Sequence, residues 1–173
     1  VDLSPDGRFG YIPERDQDTV AKLDTETLEI VDRVEFPEGS RPWMLRASSD
    51  REEIWVQTAE GSNVVLDSKS LETLHTEEVG NSPVTVAWPP GGRYGFVSMA
   101  GESYVAVLDS ETGKIVKRLE VGENNANVSF RPDGKYGYVA VTGEDSIAVV
   151  DLEELEVTER LEAGEEPMGL IVL

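Results

Sequence analysis

At 173 residues the chain is long enough to bury a sizeable core as one domain, and 39% hydrophobic with 7% aromatic residues is ordinary globular composition. The formal net charge of −20, from 35 acidic against 15 basic residues, excludes a general electrostatic affinity for nucleic acid or anionic lipid. No apolar run approaches the roughly 20 residues a membrane helix needs, and the absence of Cys removes disulfide frameworks and thiolate metal sites.

Only five of the basic residues are Lys. An acidic, Lys-poor surface fits a protein of a high-salt environment, and it fits equally well a surface that carboxylates simply keep solvated. The chain opens on Val1-Asp2-Leu3-Ser4-Pro5, already inside a repeat. An initiator Met, a targeting segment or an earlier repeat is therefore expected to have been removed or to lie outside it.

Four copies of one unit follow each other. The first has the turn Ser4-Pro5-Asp6-Gly7-Arg8, the strand Phe9-Gly10-Tyr11-Ile12 and an alternating strand closing on Leu23-Asp24. The second has Ser48-Ser49-Asp50-Arg51, which lacks the Gly, then Ile54-Trp55-Val56 and Leu66-Asp67. The third has Pro89-Pro90-Gly91-Gly92-Arg93, Tyr94-Gly95-Phe96-Val97 and Leu108-Asp109. The fourth has Arg131-Pro132-Asp133-Gly134-Lys135, Tyr136-Gly137-Tyr138-Val139 and Val150-Asp151. The closing Asp residues are spaced by 43, 42 and 42.

Each copy reads as four short strands. Pro presets the first turn position and Gly supplies positive φ, so Pro-Asp-Gly is a turn with a mechanism. The strand after it is aromatic and β-branched, and the next alternates with period 2, as in Tyr104-Val105-Ala106-Val107-Leu108-Asp109. A turn such as Ser110-Glu111-Thr112-Gly113 leads to an amphipathic strand, Lys114 to Leu119. A Gly-containing loop (Gly39, Gly80, Gly122, Gly164) then enters a short apolar strand. These last strands are Trp43-Met44-Leu45, Val84-Thr85-Val86, Asn127-Val128-Ser129-Phe130 and Met168-Gly169-Leu170-Ile171-Val172. No segment of helical period competes.

A repeated four-strand unit of about 40 residues marks a β-propeller blade. The expected fold class is all-β, with about four blades of four antiparallel strands and repeat units near residues 3–45, 46–87, 88–129 and 130–172. The pattern resembles the YVTN-type β-propeller repeats of archaeal and bacterial surface and periplasmic proteins. Ser4-Pro5-Asp6-Gly7 and its copies carry the resemblance, with Tyr138-Val139, Ile147-Ala148-Val149-Val150-Asp151, and the Val121-Gly122 and Ala163-Gly164 steps. The chain departs from it at Val141-Thr142-Gly143, where an Asn often follows the Thr. The resemblance implies a location outside the cytoplasm, at the cell surface, extracellular or periplasmic, and rings of seven or eight blades. Aligned copies place Val1-Asp2-Leu3 over Val128-Ser129-Phe130, and leave Met168 to Val172 as an inner strand without followers. That strand is expected to close on the first blade, to serve a second copy in a homodimer that completes the ring, or to belong to a fragment of a longer propeller.

Chemistry is sparse. His75 is the only His and falls in an outermost strand, at a blade rim. There is no Gly-x-Ser-x-Gly and no phosphate loop, so no catalytic residue is assigned. The loops that gather at the channel mouth of a propeller carry Arg15, Arg41, Trp43, Asn124 and Asn125, the candidate ligand-binding residues. Arg41 and Trp43 flank Pro42, a cation beside an aromatic that suits a planar anionic ligand, while packing of Trp43 between blades is the favoured alternative. Asp16, Asp18, Glu144 and Asp145 are the carboxylates placed for Ca²⁺, against the favoured reading of solvated acidic loops without any cofactor. Trp55, Trp88 and Phe130 read as inter-blade core. Asn127-Val128-Ser129 matches a glycosylation pattern inside a strand, where a glycan does not fit. The leading functional reading is a non-catalytic binding domain for a protein, glycan or small ligand. The alternatives are part of a propeller enzyme, lactonase-like or a haem- or quinone-linked oxidoreductase subunit with its active residues outside this chain, and a surface-layer structural protein.

Overall fold

The computed structural model describes residues 1–171. Its described strands form four antiparallel sheets of four, each a meander in which consecutive strands are neighbours. Sheet 1 holds β1 (Asp2–Leu3), β2 (Phe9–Glu14), β3 (Thr19–Asp24) and β4 (Glu29–Glu35). Sheet 2 holds β5 (Pro42–Ala47), β6 (Glu53–Thr58), β7 (Ser62–Asp67) and β8 (Thr73–Glu78). Sheet 3 holds β9 (Pro83–Ala87), β10 (Tyr94–Met99), β11 (Tyr104–Asp109) and β12 (Ile115–Glu120). Sheet 4 holds β13 (Asn125–Phe130), β14 (Tyr136–Val141), β15 (Ser146–Asp151) and β16 (Glu156–Glu162). Sheets 1 and 2 make one compact unit, Val1–Glu78, and sheets 3 and 4 a second, Val79–Leu173.

The turns form for the reasons legible in their residues. Gly7 has φ +69° and its N–H donates to Ser4 O at 2.8 Å. The Asp6 carboxylate accepts from the Ser4 hydroxyl at 2.6 Å and from Arg8 N at 3.0 Å. Gly134 repeats the geometry with φ +69° and a 2.9 Å bond to Arg131 O. The second copy, lacking the Gly, keeps the polar half: Ser48 Oγ donates to Asp50 Oδ1 at 2.8 Å.

The recurring Asp has one job in all four sheets. Its Oδ1 accepts from the backbone N–H groups two and three residues on, closing the turn between the third and fourth strands. Asp24 takes Glu26 and Thr27; Asp67 takes Lys69 and Ser70; Asp109 takes Glu111 and Thr112; Asp151 takes Glu153 and Glu154. Four residues past each Asp stands a left-handed residue, Leu28, Leu71, Gly113 or Leu155, with φ between +53° and +66°. A register shift between the third and fourth strands then recurs in every sheet.

Within each unit the two sheets bury a common apolar layer. Tyr11 and Val20 of sheet 1 pack against Leu45, Ile54, Val56, Val64, Leu66 and Leu71 of sheet 2. Phe96, Val105, Val107 and Leu119 of sheet 3 pack against Val128, Val139, Val141, Ala148 and Val150 of sheet 4. Phe130 joins that layer edge-on to Phe96, ring centroids 5.1 Å apart. In the first unit Tyr11 OH and Lys22 Nζ both donate to Ser68 O, at 2.9 Å each, and Lys22 also stacks on the Phe9 ring at 4.3 Å.

Two expectations change, and a third gains detail. Met168 to Ile171 is not a strand; Val172, the last residue of that expectation, lies outside the described residues. Strand assignment needs a hydrogen-bonded neighbour, and this segment meets sheet 4 through side chains, with Ser129 Oγ donating to Leu170 O at 2.8 Å and Thr142 Oγ1 to Pro167 O at 3.0 Å. The chain is not wholly without helical turns: 3₁₀ turns span Arg15–Gln17 and Thr142–Glu144, too short to show any period. Finally β13 starts at Asn125, two residues before its apolar run, because a register shift between Asn125 and Asn127 absorbs an extra residue.

The recurring Asp makes a pH prediction. Backbone N–H bonds, from Thr27, Ser70 and Thr112 respectively, are the first cause holding Asp24, Asp67 and Asp109 below the ordinary carboxylate value. A depressed folded pKa adds stability that is complete above the unfolded value of about 3.9 and is lost as pH falls through the folded one. Urea unfolding is expected to show a flat stability from pH 7 to about 5 and a decline below about 4. Asp109→Ala is expected to cost about 1 kcal/mol at pH 7, and Asp109→Asn, whose amide oxygen still accepts, clearly less.

Candidate binding face

The sequence placed its candidate residues on two sets of loops, those joining the second and third strands and those leading into the first. The structure places both sets at one edge of their sheets and shows how they are held. In the first unit Asp18 follows the 3₁₀ turn in a left-handed conformation, φ +53°. Its carbonyl accepts from Phe36 N at 2.8 Å, and its carboxylate accepts from Gly39 N at 2.8 Å and Arg41 N at 2.6 Å. Those two backbone bonds are the leading causes that lower the Asp18 pKa. One side chain thus pins the whole loop ahead of β5.

Asp145 is the counterpart in the second unit. It too is left-handed, φ +48°, with its carbonyl on Ala163 N at 2.8 Å and Oδ1 on Glu166 N at 2.9 Å. Glu102 and Glu144 reach the opposite way, to the loop leading into their own sheet. Glu102 Oε1 accepts from Asn81 N at 2.9 Å and Asn81 Nδ2 at 2.7 Å, and Glu144 Oε1 accepts from Glu123 N at 3.3 Å. The loops approach so closely that a Cβ on Gly143 would lie 2.7 Å from Glu123 O.

Of the carboxylates placed for Ca²⁺, then, Asp18, Glu144 and Asp145 each accept from backbone N–H groups, and Asp16 is exposed, 3.8 Å from Arg41 Nη2. Among the described residues no three His, Asp or Glu side chains converge as a metal-binding group.

Each unit carries its own candidate ligand-binding residues on the loop edge of its sheets, in different states. Arg41 and Asn124 occupy one repeated backbone position, the left-handed residue just before the first strand, with φ +49° and +53°; Ser82 fills it before β9, and Glu166 is left-handed at the corresponding place of the segment after β16. The Arg41 side chain is 51% exposed, and Asn124 is exposed beside an open cavity of about 730 Å³ lined also by Thr142, Asp145 and Glu165. Arg15 is exposed in its 3₁₀ turn. Trp43 sits within the register shift of β5, and its indole N–H is buried without a hydrogen-bond partner among the described residues.

Asn125 is placed quite differently. It is fully buried, its Oδ1 accepts from Met99 N at 2.7 Å, and its Nδ2 donates to Glu102 O at 3.2 Å and Tyr104 O at 3.1 Å. The amide stitches β13 to the loop between β10 and β11. Truncation leaves the Met99 N–H buried and unpaired. Asn125→Ala is expected to cost about 2 kcal/mol in urea unfolding, against a small change for Asn124→Ala.

What residue-by-residue reading missed is a cavity of about 280 Å³ in the first unit, lined by Glu35, Phe36, Ser40, Thr58, Glu60 and Thr76 among others. Its acidic and hydroxyl-bearing residues come from separate segments of the chain and carry no motif. His75 lies on the fourth strand of sheet 2, as its position implied.

Neither protein-family models nor curated proteins match the chain. Among solved structures, hydrazine synthase of Kuenenia stuttgartiensis is similar over 92% of this chain and 47% of its own, with a TM-score of 0.81 and 22% identity. The fold is that of a β-propeller, each four-stranded sheet being a blade, and the chain spans about half the length of that structural neighbour. In all, 1292 chains of known structure match, so the architecture alone selects no activity.

Proposed function

We propose that the chain is a non-catalytic β-propeller binding domain of the YVTN type, working outside the cytoplasm and presenting its loop edge to a protein, glycan or small ligand. The observation that carries this reading is the way that edge is built. Its carboxylates are turned onto backbone N–H groups and stiffen the loops, while the Arg41 guanidinium and the Asn124 amide stand out from them. Rigid loops with a few exposed polar groups suit recognition, because little ordering remains to be done on binding. Immobilised protein probed with glycans and small carboxylates is expected to yield a ligand whose affinity falls at least tenfold in Arg41→Ala or Asn124→Ala. Binding that neither variant changes, or none at all, would sink the reading.

The second reading is a propeller portion of an enzyme whose reacting residues lie outside this chain. The likeness to a chain of hydrazine synthase, of which this chain spans 47%, favours it. A cofactor absorption band in the native protein is its test.

A second copy of the chain is the proposed partner. Leu71 of blade 2 is 2% exposed against blade 1, whereas Leu28, at the same position of blade 1, is 75% exposed. In the second unit Tyr136, Tyr138, Val149 and Leu161 of blade 4 line an open groove. These residues stand where Tyr94 and Phe96 of blade 3 pack against blade 4. The free face of blade 4 in one copy is thus built like the face that blade 1 of another lacks. Light scattering is expected to give twice the chain mass, and Leu28→Asp the single mass; a monomeric wild-type protein at 100 µM, roughly a working concentration for weak association, would overturn the pairing.

A further inference from the structure

The internal repeat supplies a comparison that no second protein is needed for. In sheet 4, β15 and β16 are in register with Ala148 opposite Arg160. In sheet 2, β7 and β8 are in register with Val64 opposite Thr76. Thr76 and Arg160 therefore hold the same place, each nine residues past its recurring Asp. Glu60 and Glu144 also correspond, each two residues before the strand that starts at Ser62 or Ser146. Phe36 and Val121 correspond through the bonds of their N–H groups, to Asp18 O and Ser103 O at 2.8 and 2.9 Å.

In the second unit the Arg160 guanidinium fills the space between these elements. Nη1 donates to Val121 O and stands 3.2 Å from Glu144 Oε2. In the first unit Thr76 has no such group, and the space is the cavity of about 280 Å³. It is lined by Glu60 and Glu35, by the hydroxyl-bearing Ser40, Thr58 and Thr76, and by Phe36. Ser40, one of its lining residues, is itself 5% exposed.

We propose that this cavity is a binding site for a small guanidinium compound, whose planar head takes the place that Arg160 fills in the other unit. The chemistry of the wall fits that head: acceptors on several sides, two of them anionic, and no cation among its lining residues. A guanidinium carries five N–H donors in one plane and pairs with a carboxylate bidentately, which a rounded ammonium does not. The volume lies at the small end of ligand pockets, which suits a head group with a short aliphatic tail. The site borders the loop edge proposed above through Phe36, Ser40 and Glu60, but it is argued from the comparison with Arg160 and does not depend on that reading.

The test is titration of the ¹⁵N-labelled protein with agmatine, and in parallel with butylamine, in buffer of moderate ionic strength that screens loose attraction to an acidic surface. Agmatine is expected to give saturable shifts at Ser40, Thr58 and Thr76, with butylamine at least tenfold weaker. Thr76→Arg brings its own guanidinium and is expected to abolish saturable binding while raising the melting temperature; Glu60→Gln keeps the cavity and is expected to weaken agmatine at least tenfold. Shifts that never saturate, equal binding of the two amines, or agmatine binding unchanged in both variants would each overturn the proposal.

Discussion

A sheet of four short strands has two faces and no layer of its own to cover either. Everything else in this protein follows from that constraint. Aromatic and β-branched residues alternate along the second and third strands of each blade, so each blade offers one apolar set forward and another back. Within Val1–Glu78 and within Val79–Leu173 the forward set of one blade meets the backward set of the next, Tyr11 and Val20 against Ile54 and Val56, Phe96 and Val107 against Val139 and Val150. The turns need only hold the strands in register, and one Asp per blade, bonded to two backbone N–H groups, does that in four places.

The large negative charge takes on a different meaning once the loops are seen. A reading by composition treats carboxylates as solvent-facing charge or as metal donors. Here a fraction of them serve as acceptors for backbone N–H groups that the irregular loops would otherwise leave without protein partners. Asp18 and Asp145 hold the loop that follows their own blade; Glu102 and Glu144 hold the loop that precedes it. A carboxylate that accepts from backbone N–H groups braces the loop it reaches.

The fold was legible because its determinants are local. Period-2 alternation, a Pro-Asp-Gly turn and a recurrent Asp act over a few residues, and repetition supplies the alternation and the Asp four times and the full turn twice. The edges of elements were less legible: the 3₁₀ turn at Arg15–Gln17 has no period to detect, and the early start of β13 depends on a register shift against β14. The candidate site divided along the same line. Arg41 and Asn124 were placed at exposed loop positions by their spacing, and the structure puts them there. Asn125, one residue further, is buried with three backbone partners from the neighbouring blade, and nothing in its own segment distinguishes it from Asn124.

The cavity near Thr76 shows why. Its wall depends on segments that are far apart along the chain, and on a side chain that the second unit has and the first does not. The sequence by itself determined the blade, its strand order and its turn chemistry, since each rests on contacts between residues close in the chain. Only the tertiary structure decided which carboxylates are engaged, which asparagine is buried and where space remains. Those outcomes turn on groups 20 to 40 residues apart meeting across a gap, such as Arg160 and the carbonyl of Val121, and a linear pattern carries no record of that distance.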